Sequence, residues 1–277
     1  MKSIRAAVWI CCMLPAAALS AQVNSLDRER NPSKLAVAAV AIVQSGDNQK
    51  IASLAAHLGQ QSFLGRLDPP GATTGLESIF RAIEEHPSEA GERLCVDLAA
   101  NPDFGALPAR MNFLLNALAA VRPMSAAGAE VFRKTARSGF LEVDGPLLAA
   151  NGSPRAVEVL EEILADKTLD PDQRVSTSHW SIVPHRTDGP IVAMCARLLD
   201  RGRLSPEVAA AVAESLFDYR PKEWFGVRIN QPSPPAWSLA GVAAKDAARQ
   251  LGDRLLARPG LPDLLRAVIE RTLAELR

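Results

Sequence analysis

The chain has 277 residues and carries 31 Lys and Arg against 31 Asp and Glu, a formal net charge of zero. That balance excludes a global electrostatic case for nucleic acid, an anionic membrane surface or an acidic substrate. Of four cysteines, Cys11 and Cys12 fall in the first segment and only Cys95 and Cys195 lie beyond it, which excludes a disulfide scaffold.

Lys2 and Arg5 precede an apolar run over residues 6–14, and a small-residue exit follows over 15–21. This is the three-part pattern of a secretory signal peptide, with Ala18 and Ser20 placed for cleavage after Ser20, or after Ala21 in the alternative register. The rival reading is a retained anchor, but the run over residues 6–19 falls short of the roughly 20 apolar residues that span a bilayer. Pro15 also interrupts it. A lipid attachment at Cys11 or Cys12 is disfavoured by the bulky Val8, Trp9 and Ile10 before them. The expectation is an exported chain, periplasmic or secreted, with no membrane insertion once the leader is removed.

About 255 residues remain, enough for one large unit or two modest ones. A polar stretch fills residues 22–31, and an α-helical domain is expected over 32–277. From there an apolar stripe of period 3.6 recurs, each lasting about three turns before a short break. Leu35, Ala38, Ala39 and Ile42 make the first stripe, Ile51, Leu54, Ala55 and Leu58 the second, and Leu76, Ile79, Phe80 and Ile83 the third. Met111, Leu114, Leu115 and Leu118 continue the rhythm, as do Val208, Ala211, Val212, Ser215 and Leu216, then Leu265, Val268, Ile269 and Leu276. Cys95 and Cys195 fall in phase with neighbouring leucines and read as small buried hydrophobes left as free thiols.

Proline follows a break residue at Asn31-Pro32, Asn101-Pro102, Ser153-Pro154, Asp170-Pro171, Ser205-Pro206 and Leu261-Pro262, several with a capping oxygen just before the helix start. Gly46, Gly139, Gly145 and Gly202 read as helix stops. No segment alternates with period two, so the chain is predicted to be all-α, with about fourteen helices.

Residues 163–172 and 198–207 match at a fixed shift: Ile163 with Leu198, Leu164 with Leu199, Leu169 with Leu204, Asp170 with Ser205, Pro171 with Pro206 and Asp172 with Glu207. Val157 and Val192 extend the register. A shift near 35 residues is close to the roughly 34 to 47 of helical-repeat families. On these residues the chain resembles HEAT or armadillo-like repeat proteins, most clearly over residues 147–219. The resemblance implies stacked helical hairpins forming an α-solenoid, and it carries over no catalytic residue.

Candidate chemistry is sparse. There is no nucleophile elbow, zinc helix, phosphate loop or dinucleotide fingerprint. His57 and His86 sit alone near helix ends and read as surface or capping residues. His179 and His185, with Asp172, Arg186 and Asp188 near them, form the one cluster of acid/base types, although a six-residue separation puts the two rings about 120° apart on a helix. Pro184 also intervenes. Asp218 and Glu223 read as solvated charges, and Asn151-Gly152-Ser153 as a turn and helix cap rather than a glycosylation acceptor. No metal or cofactor is expected.

Five of the thirteen aromatic residues fall within 217–237: Phe217, Tyr219, Trp224, Phe225 and Trp237. An irregular segment over 222–238 carries Pro232, Pro234 and Pro235, and a C-terminal hairpin is expected over 239–277. Large amphipathic side chains on such a loop suit protein contact, while the same rings could seal the end of a helical stack. Tyr219, Trp224, Phe225 and Trp237 are therefore the candidate protein contacts. The function expected is an exported, non-enzymatic scaffold that binds a protein partner. The alternative is a hydrolase or lyase with its site around His179, His185 and Asp188.

Overall fold

The computed structural model describes residues 26–68, 72–186, 188–201, 203–217, 242–261 and 263–276. Fifteen helices and no strand are found among them, so the all-α expectation holds. The chain divides into two compact units at Arg122 and Pro123. The predicted leader, residues 218–241 and Gly202 lie outside the described residues.

The N-terminal unit contains α1 (Pro32–Ser45), α2 (Asn48–Leu58), α3 (Gln61–Leu67), α4 (Thr74–Glu85), α5 (Glu89–Ala99), α6 (Pro102–Gly105) and α7 (Pro108–Ala120). Asn31 Oδ1 accepts from the Lys34 amide and Pro32 fills the first turn, where its missing N–H costs nothing. At the other end of α1, Gly46 adopts φ 64°, a left-handed cap that returns its N–H to the Val43 carbonyl. Asp47 then caps α2 through the Gln49 and Lys50 amides, so two residues, Gly46 and Asp47, join the helices.

The predicted stripes become contacts. α1 lies beside α4 and α4 beside α7, while α2 lies beside α5. Leu35, Ile42, Leu54, Leu58, Ile79, Phe80, Leu114 and Leu118 are wholly enclosed between them. The stretch read as polar contributes more than expected. Residues 26–28 are helical and Leu26 is fully buried, held because Arg66 Nη1 donates to the carbonyls of Leu26, Asp27 and Glu29. That guanidinium satisfies carbonyls that a helix end leaves open.

The C-terminal unit contains α8 (Ala126–Thr135), α9 (Leu141–Asn151), α10 (Pro154–Ala165), α11 (Pro171–Ile182), α12 (Gly189–Arg201), α13 (Pro206–Phe217), α14 (Val242–Leu256) and α15 (Asp263–Leu276). Alternate helices are neighbours: α8, α10, α12 and α14 pack in sequence on one side, and α9, α11, α13 and α15 on the other. Four successive hairpins thus lie side by side within this unit. The matched segments at the 35-residue shift fall on two of them, with Pro171 opening α11 and Pro206 opening α13.

Two local expectations are corrected here. Gly145 is not a helix stop; it lies inside α9, where its missing side chain admits α11, and the true stop is Gly152 at φ 65°. Ser153 occupies the N-cap position of α10 without capping it: its hydroxyl accepts from the Met124 amide instead of a helix amide, and donates to Asn151 Oδ1. Gly139, at φ 95°, does mark a break: it kinks the π-helical turn of residues 136–140 that joins α8 to α9.

Candidate functional site

α11 is the unusual element of the C-terminal unit. It is packed between α9 and α13, yet Ile182 is its single enclosed apolar residue, beside buried Arg174, Ser176, Thr177, Ser178 and Ser181. Burying polar groups is costly unless each finds a partner. Three do so: Ser178 Oγ donates to the Arg174 carbonyl at 2.8 Å within the helix, Arg174 Nη1 to Leu164 O, and Thr177 Oγ1 to Leu141 O across the seam, while Ser181 Oγ and Arg174 Nε are left without a partner.

The small hydroxyl residues also allow a close crossing. A Cβ on Gly145 would stand 2.6 Å from Ser181 Oγ and closer still to Thr177 Cγ2. Next to that crossing sits Asp144, 0% exposed. Its Oδ2 accepts from Thr135 Oγ1 at 2.8 Å, while Oδ1 has no hydrogen-bond partner. Burial pushes this carboxyl up to about 8, against a smaller opposing effect of the Thr135 hydroxyl. Burial thus favours the neutral carboxyl over the carboxylate at this position. Sequence reasoning missed Asp144, although a signal existed: it lies three residues after Leu141 and four before Leu148, in phase with an apolar stripe.

The predicted histidine cluster separates into two arrangements. His185 Nδ1 meets Asp188 Oδ2 at 2.9 Å on the surface. His179 reaches across from α11 to α13, with Nδ1 at 2.8 Å from Ser215 Oγ. Ser215 has one hydroxyl proton and gives it to the Ala211 carbonyl at 2.7 Å, so in this geometry the imidazole Nδ1–H donates to Ser215. A base that activates a serine needs the opposite direction. Asp172 is exposed and Arg186 is buried.

His57 does more than cap a helix: it bonds the Ser53 carbonyl through Nδ1 and Asp27 through Nε2, while His86 is exposed at the end of α4. Cys95 and Cys195 are free and fully buried, and burial drives both thiols upward, Cys195 to about 12. No group of His, Cys, Asp and Glu suited to a metal ion occurs among the described residues. The predicted contact residues Tyr219, Trp224, Phe225 and Trp237 lie outside them, as do Asp218 and Glu223.

On the side formed by α8, α10 and α12, charges are paired between successive hairpins. Arg133 Nε meets Glu162 at 2.6 Å, Arg197 Nη2 meets Glu161 at 2.6 Å, and Arg201 reaches the same carboxylate at 3.5 Å. A groove of about 420 Å³ runs over the α10 and α12 pair, lined by Glu158, Glu161, Arg197, Arg201 and Arg203 among others. On the side of α11, Trp180 is 45% exposed, an unusual position for the largest amphipathic side chain. Among the described residues no helix is long and apolar enough to cross a membrane. No protein-family model, no curated protein and no solved structure matches the chain.

Proposed function

We propose that this chain is an exported, non-enzymatic repeat protein of the HEAT-like kind, which serves as a scaffold or adaptor for another protein. The observation that carries the reading is the stacking in the C-terminal unit, where hairpins α10–α11 and α12–α13 lie side by side at the 35-residue shift legible in the sequence. Stacked hairpins expose one row of helices along their length, a surface suited to a polypeptide more than to chemistry at one point. Trp180 stands in such a row, and tryptophan is enriched among residues that dominate binding energy. The basic start and apolar run of residues 1–21 support export.

The test is proximity labelling of the exported protein followed by reconstitution with the partner it names. Trp180→Ala, and separately Trp224→Ala with Trp237→Ala, are expected to weaken that complex at least tenfold while the far-ultraviolet circular dichroism is unchanged. Binding at full strength by all three proteins removes the aromatic surfaces from the reading. The second reading, a hydrolase or lyase around His179, His185 and Asp188, draws on the 2.9 Å pair of His185 with Asp188. A stoichiometric transition metal that is lost on His185→Ala would favour it.

A further inference from the structure

Asp144 lacks what a buried carboxylate needs, a cation beside it or several hydrogen-bond donors. It is fully enclosed one residue before the Gly145 crossing; one oxygen meets the Thr135 hydroxyl of α8, which also lies against the Val131 and Phe132 carbonyls, and the other receives nothing from the protein. No charged group on the elements packed against α9 bonds Asp144. On α8, Glu130 and Lys134 are exposed and Arg133 is bonded to Glu162; Arg137 of the π-helical turn pairs with Asp166. On α10, Arg155 bonds the Met124 carbonyl, Glu158 is exposed, and Glu161 is held by Arg197. On α11, Asp172 is exposed, Arg174 Nη1 serves Leu164 O, and His179 bonds Ser215. Glu142, on α9 itself, is exposed.

We infer that a proton held on Asp144 is a structural component of the C-terminal unit, so that the packing around α9 is tight in acid and loosens as the medium turns alkaline. The neighbouring residue, Gly145, crosses α11 with no room for a methyl group, so water that enters to solvate a charge on the enclosed Asp144 has to open tightly packed helices.

The direction of the linkage follows from which state holds the proton. An unfolded aspartate titrates near 3.9 while the folded one is raised to about 8, so between those values the folded chain binds one proton more. The stabilisation by that proton is complete below about pH 4, is lost steadily as pH rises toward 8, and is gone above it.

The experiment uses the full chain labelled with ¹³C at aspartate carboxyls, titrated by NMR from pH 3 to 10, with urea unfolding of wild type and Asp144→Asn in parallel. One aspartate resonance is expected to titrate near pH 8 and to be missing in the Asn variant. The wild-type unfolding constant should rise relative to that variant by up to about tenfold per pH unit between pH 4 and 8. Titration of all aspartates below about pH 5, or identical pH dependence of the two proteins, overturns the inference. If Asp144→Asn does not fold, Thr135→Val decides: removing the one donor to the charged form should move the late resonance still higher, and an unmoved resonance assigns it elsewhere and overturns the inference.

Discussion

Two glycines in helices show how packing decides the sign of one methyl group. Replacing glycine by alanine inside a helix gains about 1 kcal/mol from backbone propensity alone. At Gly65, in α3, an added Cβ meets nothing within 4 Å. Gly65→Ala should therefore raise the melting temperature by a few degrees. At Gly145 the same methyl group collides with Thr177 and Ser181 on the facing helix, and overpacking of this kind costs about 1 to 3 kcal/mol or more. Gly145→Ala should lower the melting temperature, and a scan showing both variants shifted in the same direction would refute the close crossing. The two cysteines make a third case at this scale. With both thiols fully buried and pushed upward by burial, neither should react with a thiol reagent in the folded chain at pH 8, and both should react once urea is added.

At the scale of elements, what could be read in the sequence follows from what periodicity reports. Leu76, Ile79, Phe80 and Ile83 announce α4 because apolar side chains three and four residues apart share one face, and all four are buried. Asn31, Asn101 and Asp170 announce helix starts because their oxygens bond amides two or three residues on. α11 has its cap but no apolar stripe, since its buried face is serine, threonine and arginine, enclosed through hydroxyl bonds to helix carbonyls that no apolar count detects. Asp68 was equally hidden: it caps α4 by accepting from the Gly75 and Leu76 amides, seven and eight residues away, while Thr73 beside the helix makes no capping bond. Of the candidate site, the pairing of His185 with Asp188 was within reach because three residues separate them, whereas the bond from His179 to Ser215 spans 36 residues and depends on hairpin stacking.

The same logic ranks two substitutions on α10 and α11. Asp170→Ala removes a side chain that accepts from two amides at the start of α11, and losing such a cap costs about 1 kcal/mol. Glu161→Ala removes the partner of both Arg197 and Arg201, yet those guanidinium side chains are 41% and 51% exposed, so solvent screens most of the attraction and the loss should stay within about 1 kcal/mol. Urea unfolding of both variants at low and high salt separates the two causes: the Glu161 deficit should shrink with salt, and the Asp170 deficit should persist.

At the scale of the molecule, the division at Arg122 and Pro123 is what the sequence pattern hid, because helix stripes repeat through both halves with the same period. Each unit nevertheless encloses its own large side chains, Phe63, Phe80 and Phe104 in the first and Phe132 with Leu148, Leu160 and Leu164 in the second. In the first, Phe80 and Phe104 meet edge to face with centroids 6.0 Å apart, so that core draws on α4 and α6 together. Units with complete cores of this size can fold cooperatively by themselves. Residues 26–122 and 123–277, produced separately, should each give a helical circular-dichroism spectrum and a single unfolding transition. The pH dependence attributed to Asp144 should travel with the second fragment alone, since Thr135, Gly145, Thr177 and Ser181 all belong to it. A second fragment that folds but unfolds with the same midpoint at pH 5 and pH 9 would separate the fold from the proton and leave the hairpin stack standing without it.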